Sequence, residues 1–148
     1  MNIVGVATLL LPHMPDWRAL RATAAQAYGV LPGDVSVGNY WEEDEPYPAG
    51  ARVYLNLWGD SYDGDLPIAL EQDVDEPLAS GVERAVQRMA ELLGMMIVTN
   101  DHEADPAIIH LPDGTTVRRE LEELPEGGLL LPDDLKAIAV AGREARAA

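Results

Sequence analysis

Residues 51–75 read ARVYLNLWG-DSYDGD-LPIALEQDVD, and their pattern decides how the rest of the chain is organised. Side chains alternate across a strand. Val53, Leu55 and Leu57 therefore share one face of a strand over 51–58, and Tyr54, Asn56 and Trp58 share the other. Asp63-Gly64 is a preferred hairpin dipeptide, because a tight turn needs a residue that accepts positive φ. A return strand over 66–74 follows. The centre of the chain is thus an antiparallel pair with one apolar and one mixed face.

Upstream, residues 35–41 read as another strand. Asp16 can cap a helix starting at Trp17, whose positions Trp17, Leu20, Ala24, Ala27 and Tyr28 recur at helical spacing, and Gly29 can end it. That stripe places Trp17 and Tyr28 in the core. Residues 2–11 form an apolar run ended by Pro12, a first strand. Downstream, Ser80 and Glu83 have capping-box spacing ahead of a helix with the stripe Val82, Val86, Met89, Leu92 and Leu93, closed by Gly94. Met95–Thr99 is an apolar strand. Residues 107–111 and 115–121 flank Asp113-Gly114 as a second hairpin, and Pro132-Asp133-Asp134 opens a last helix with Leu135, Ile138 and Ala139. The order β-α-β-β-β-α-β-β-β-α predicts a single α+β domain over 1–148. Its sheet is mixed or mostly antiparallel with helices packed on one face, ferredoxin-like in its first part.

Charge narrows the functional classes. The chain carries 26 acids against 10 bases, a formal net charge of −16. Residues 34–76 hold twelve acids against Arg52 alone. Such a field repels phosphate backbones and anionic lipid, so neither nucleic acid nor a membrane surface is an expected partner. Basic protein surfaces and cations are favoured, although solubility alone also explains many acidic proteins. The N-terminal apolar run has no basic flank and is too short to span a bilayer. With no cysteine in the chain, neither a disulfide framework nor thiol chemistry is available, which fits a reducing cytoplasm.

The catalytic inventory is thin. Only three serines occur, none in a G-x-S-x-G elbow, and Lys136 is the one lysine. No Walker loop, dinucleotide fingerprint or H-E-x-x-H appears, so no cofactor is expected and the balance leans against an enzyme. Asp60 and Glu71 stand at the ends of a calcium-loop length, but Tyr62, Gly64 and Asp65 occupy the positions that should ligate or turn. A looser cation site of Asp60, Asp63 and Asp65 competes with a plain acidic turn. Glu71, Asp73 and Asp75 would share a strand face, as a metal or acid/base set or as a solvated strand end resisting edge pairing. His13, His102 and His110 match no zinc spacing.

Aromatic placement is the most informative feature. Of eight aromatics, Tyr40, Trp41, Tyr47, Tyr54, Trp58 and Tyr62 lie in one stretch, together with the run Glu42-Glu43-Asp44-Glu45. Aromatics anchor protein interfaces, and complementary charge governs encounter and partner choice. Either these rings form such an interface, or a second layer covers them as core. On Tyr40, Trp41, Glu42, Glu43, Asp44, Glu45, Tyr54, Trp58 and the acids Asp60, Asp63 and Asp65, the chain resembles the small acidic immunity proteins that neutralise bacterial polymorphic toxins. That resemblance is one of general character, without an alignable stretch. It implies an inhibitor that occludes a basic site on a target, such as a cognate toxin, with those eleven residues as the contact set. The alternatives are a module binding a sugar or cationic small molecule, a divalent-metal-assisted hydrolase on Glu71, Asp73 and Asp75, and a homo-oligomeric structural protein.

Overall fold

The computed structural model describes residues 1–39, 50–59, 64–99, 106–125 and 128–147, the side chains of residues 58–59 and 141–147 excepted. Strand β1 (Ile3–Leu11) leads into α1 (Trp17–Tyr28), a 3-10 turn (Pro32–Asp34) and β2 (Val35–Gly38). The central hairpin is β3 (Val53–Gly59) and β4 (Ile68–Asp75). A second 3-10 segment (Glu76–Gly81) runs straight into α2 (Val82–Leu93). The chain then forms β5 (Ile97–Thr99), β6 (Ala107–His110), β7 (Thr116–Arg119), the short pair β8 (Glu122–Glu123) and β9 (Leu129–Leu130), and α3 (Asp133–Ala147).

Seven strands make one sheet in the order β2-β3-β4-β1-β5-β6-β7. All neighbours are antiparallel except β2 and β3, which run parallel from Val35↔Val53 to Gly38↔Asn56. Without edge strand β2, the order β3-β4-β1-β5 with α1 and α2 as crossovers is the split βαβ, ferredoxin-like arrangement expected for the first part. The structure is α+β with a mostly antiparallel mixed sheet.

Helix termini follow local chemistry at α1. The Asp16 side chain accepts from the backbone N–H of Arg18 at 2.9 Å and of Ala19 at 3.1 Å, and Gly29 closes the helix at φ 73°. The capping box at α2 does not form. Gly81 is the N-cap and no side chain caps the helix, because the preceding 3-10 segment absorbs Ser80. Trp17 corrects another expectation: it is 39% exposed, standing in the first turn beyond Leu20, Thr23, Ala24 and Ala25, which are buried.

The sheet buries both faces, and strand alternation sorts the residues. Leu9, Leu11, Leu55, Leu70 and Ile97 pack with Leu20, Val86 and Met89, so α1 and α2 share one face. Val98, Ile109 and Leu111 point the other way and pack with Leu131, Leu135 and Ala139, so α3 covers the opposite face at the β5–β6 end. Met95 and Ile97 join one core and Met96 and Val98 the other, which explains why residues 95–99 read as a continuous apolar run.

Candidate functional site

The mixed face of the β3–β4 hairpin points away from α1 and α2. Tyr54 is 6% exposed and Asn56 is fully buried, so this face is covered. Tyr54 is therefore packed within the protein, which removes it from the contact set expected from sequence. Tyr40, Trp41, Glu42, Glu43, Asp44, Glu45, Asp60 and Asp63 lie outside the described residues, as do Tyr47, Tyr62 and His102. Trp58 belongs to β3 by its backbone, and its side chain lies outside the described ones.

Asp65 also departs from expectation. Its Oδ2 accepts from the Leu131 backbone N–H at 2.8 Å, and Oδ1 lies 3.6 Å from Lys136 Nζ. The Asp65 N–H donates to the Leu129 carbonyl at 2.8 Å. Asp65 thus ties the end of the β3–β4 turn to β9 and α3, which commits its carboxylate to an internal contact. Gly64 beside it has φ 101°.

Glu71, Asp73 and Asp75 alternate on one face of β4 as expected. They are neither an edge device nor a solvated end, since β4 lies between β3 and β1 and Asp75 is buried. Arg52 Nε donates to Asp75 Oδ2 at 3.2 Å, and the Asp75 N–H donates to the Arg52 carbonyl at 2.8 Å. Desolvation, and then the neighbouring negative charge of Asp73, hold the Glu71 carboxyl above the usual glutamate range. Gly5 pairs with Asp73, where a Cβ would lie 3.3 Å from its Oδ1. Among the described residues, no group of three or more His, Cys, Asp or Glu side chains could hold a metal ion.

On the helix-covered face, two glutamine amides organise polar contacts that sequence reading passed over. Gln72 occupies the apolar register of Ile68, Leu70 and Val74 and is fully buried. Its Oε1 accepts from the Tyr28 hydroxyl, and its Nε2 donates to the Ala7 carbonyl at 3.3 Å. Ala7 sits in a bulge of β1, where the register shifts between Val6 and Leu9. Burial pushes the Tyr28 phenol well above its ordinary pKa. A polar residue in an otherwise apolar alternation is the signal that could have found Gln72.

Gln87, on α2, donates from Nε2 to the Leu111 carbonyl at 3.1 Å. A carbonyl only accepts, so this fixes the amide and turns Oε1 toward His110 Nδ1 at 3.0 Å. Nδ1 therefore carries the imidazole proton. Thr116 Oγ1 donates to the same Oε1 at 2.6 Å. Beside His110, a cavity of about 320 Å³ opens between β1, β6 and α2.

Comparison with known proteins returned no match: no family model, no curated protein and no solved structure resembles the chain significantly. Among the described residues, no helix is long and apolar enough to cross a membrane.

Proposed function

We propose that this chain is a binding protein that occludes a basic site on a partner protein, in the manner of toxin-neutralising immunity proteins. The observation that carries the reading is the unbalanced charge. With 26 acids and 10 bases, 16 carboxylates lack a basic side chain even if every base were paired. A field of that sign steers a cationic partner into encounter, and rigid aromatics supply the anchoring once contact is made. The proposed contact set is Tyr40, Trp41, Glu42, Glu43, Asp44, Glu45 and Trp58 with Asp60 and Asp63. Tyr54 and Asp65 are left out because both are engaged inside the protein. The chain contributes no chemistry, only coverage.

The test is affinity capture from the native host's lysate at low salt, followed by stepwise salt elution and mass spectrometry. A single stoichiometric basic protein should be retained. Trp58→Ala should weaken its binding by about 2 kcal/mol or more, the range of an interface anchor. Neutralising Glu42–Glu45 should slow association and flatten its salt dependence. Retention that ignores salt and both sets of substitutions would defeat the proposal. So would a Trp58→Ala protein that loses folding stability in step with binding.

A further inference from the structure

We infer that the cavity between β1, β6 and α2 is a binding site for a small organic amine, a protonated nitrogen on a compact hydrocarbon body. The inference is independent of the partner-binding proposal, since the cavity lies on the face covered by α2 and uses none of the contact residues named above.

Residues of β1, β5, β6 and α2 surround this space. Among the described residues, β1 pairs with β5 only at Leu10↔Val98. Val6 and Ala7 of β1, at the bulge that Gln72 holds, line the space together with Ile108 and His110 of β6. Bulges commonly mark places where a sheet is reshaped beside a functional site. The 3-10 segment and the first turns of α2 line the other side of this space. Its volume of about 320 Å³ falls at the small end of ligand pockets.

The lining selects a chemical class. Val6, Ala7, Ala79, Val82, Val86 and Ile108 form hydrocarbon walls. Thr99 and His110, 3% and 1% exposed, are the polar residues of the inner wall. The contact with Gln87 fixes the ring of His110, so this wall is preorganised. Ser80 and Glu83, both exposed, stand at the outer rim. Glu83 is the one acidic or basic side chain among the described lining residues besides the imidazole. An ammonium at the rim gains its field, while a carboxylate would be repelled by it and by the net charge of −16.

Nearby positive groups offset this only weakly. Arg118 Nη2 lies 3.9 Å from Glu83 Oε1, with both side chains more than half exposed, a contact that contributes little. Arg84 borders an adjoining depression, lined with Gln87 and Thr116, that shares Ser80 and Glu83 with the cavity. The start of α2 also reaches the rim, but its Val82 N–H already donates to the Ala79 carbonyl.

Three probes of nearly equal shape separate the possibilities: cyclohexylamine, cyclohexanol and cyclohexanecarboxylate, titrated into the full chain and followed by amide chemical shifts. Perturbations should cluster at Ala7, Thr99, Ile108 and His110. The amine should bind about five- to tenfold more tightly than the alcohol, the scale of a charge-assisted contact. Glu83→Gln, a substitution at an exposed position, should abolish that preference and leave the alcohol's affinity unchanged. Absence of perturbation at those amides with all three probes overturns the site. An alcohol or carboxylate binding as tightly as the amine overturns the ligand class, as does a preference that survives Glu83→Gln.

Discussion

A Cβ on Gly64 would lie 2.5 Å from the Leu129 carbonyl oxygen, at a backbone φ of 101°. The obstructing atom is backbone, so it cannot swing aside as a side chain could. Gly114 provides the comparison: its φ is 96°, but its Cβ would meet only the end of the Glu91 side chain, at 3.1 Å. Both Gly→Ala substitutions carry the strain of a positive φ, and only the one at Gly64 adds a backbone collision. In urea unfolding, Gly64→Ala is expected to cost about 2–4 kcal/mol and Gly114→Ala about 1 kcal/mol. Equal costs would show that the turn is not pinned against β9. Asp65 lies in the same crossing. Its acidic side chain in a turn-forming stretch reads as a solvated surface charge, and only the arrival of Leu131 and Lys136 from far along the chain makes it an internal clamp.

At the scale of elements, β4 bears an unusual pair of faces. One presents Ile68, Leu70 and Val74 to the helices, and the other carries Glu71, Asp73 and Asp75 within the sheet rather than at its edge. Like charges at alternate positions of one strand cannot separate. Because Glu71 has a raised folded pKa, it supports stability below about pH 4.5, the ordinary glutamate value, and detracts from it as pH rises through the folded value. Glu71→Gln keeps the shape and removes the charge. Its melting temperature should exceed that of the unsubstituted chain near pH 7, with the difference shrinking toward about pH 4. A constant offset across that range would place the effect in packing. The alternation that sets Glu71, Asp73 and Asp75 on one face is legible in the sequence. The burial of Asp75 and the partial burial of Glu71 and Asp73 are not, because the pattern carries no information about what covers the face.

At the scale of the molecule, two cores on opposite faces share strands. Leu9 and Leu11 belong to one and Leu10 packs against the other; Ile97 and Val98 divide in the same way. The exterior carries the self-repulsion of a net charge of −16. Screening shortens the reach of that repulsion to about 10 Å at 0.1 M salt and about 3 Å at 1 M. The melting temperature should therefore rise as sodium chloride increases from about 10 mM to about 0.5 M, and binding of a basic partner should weaken over the same range. A melting temperature indifferent to salt would mean that the acids are spread too thinly to repel.

By itself the sequence determined the order of the elements other than β8 and β9, the α+β class, the capping of α1 by Asp16 and the central hairpin. Each of these depends on neighbours within a few residues: an alternation, a helical stripe, a cap or a turn dipeptide. Tertiary structure alone decided the parallel pairing of β2 with β3, the placement of α3 on the face opposite α1 and α2, and the small β8–β9 pair. It alone decided that Tyr54 is buried, that Trp17 is half exposed, and that His110 meets Gln87 beside a cavity. Those outcomes depend on which distant segments meet, and the pattern within any one segment is compatible with several partners.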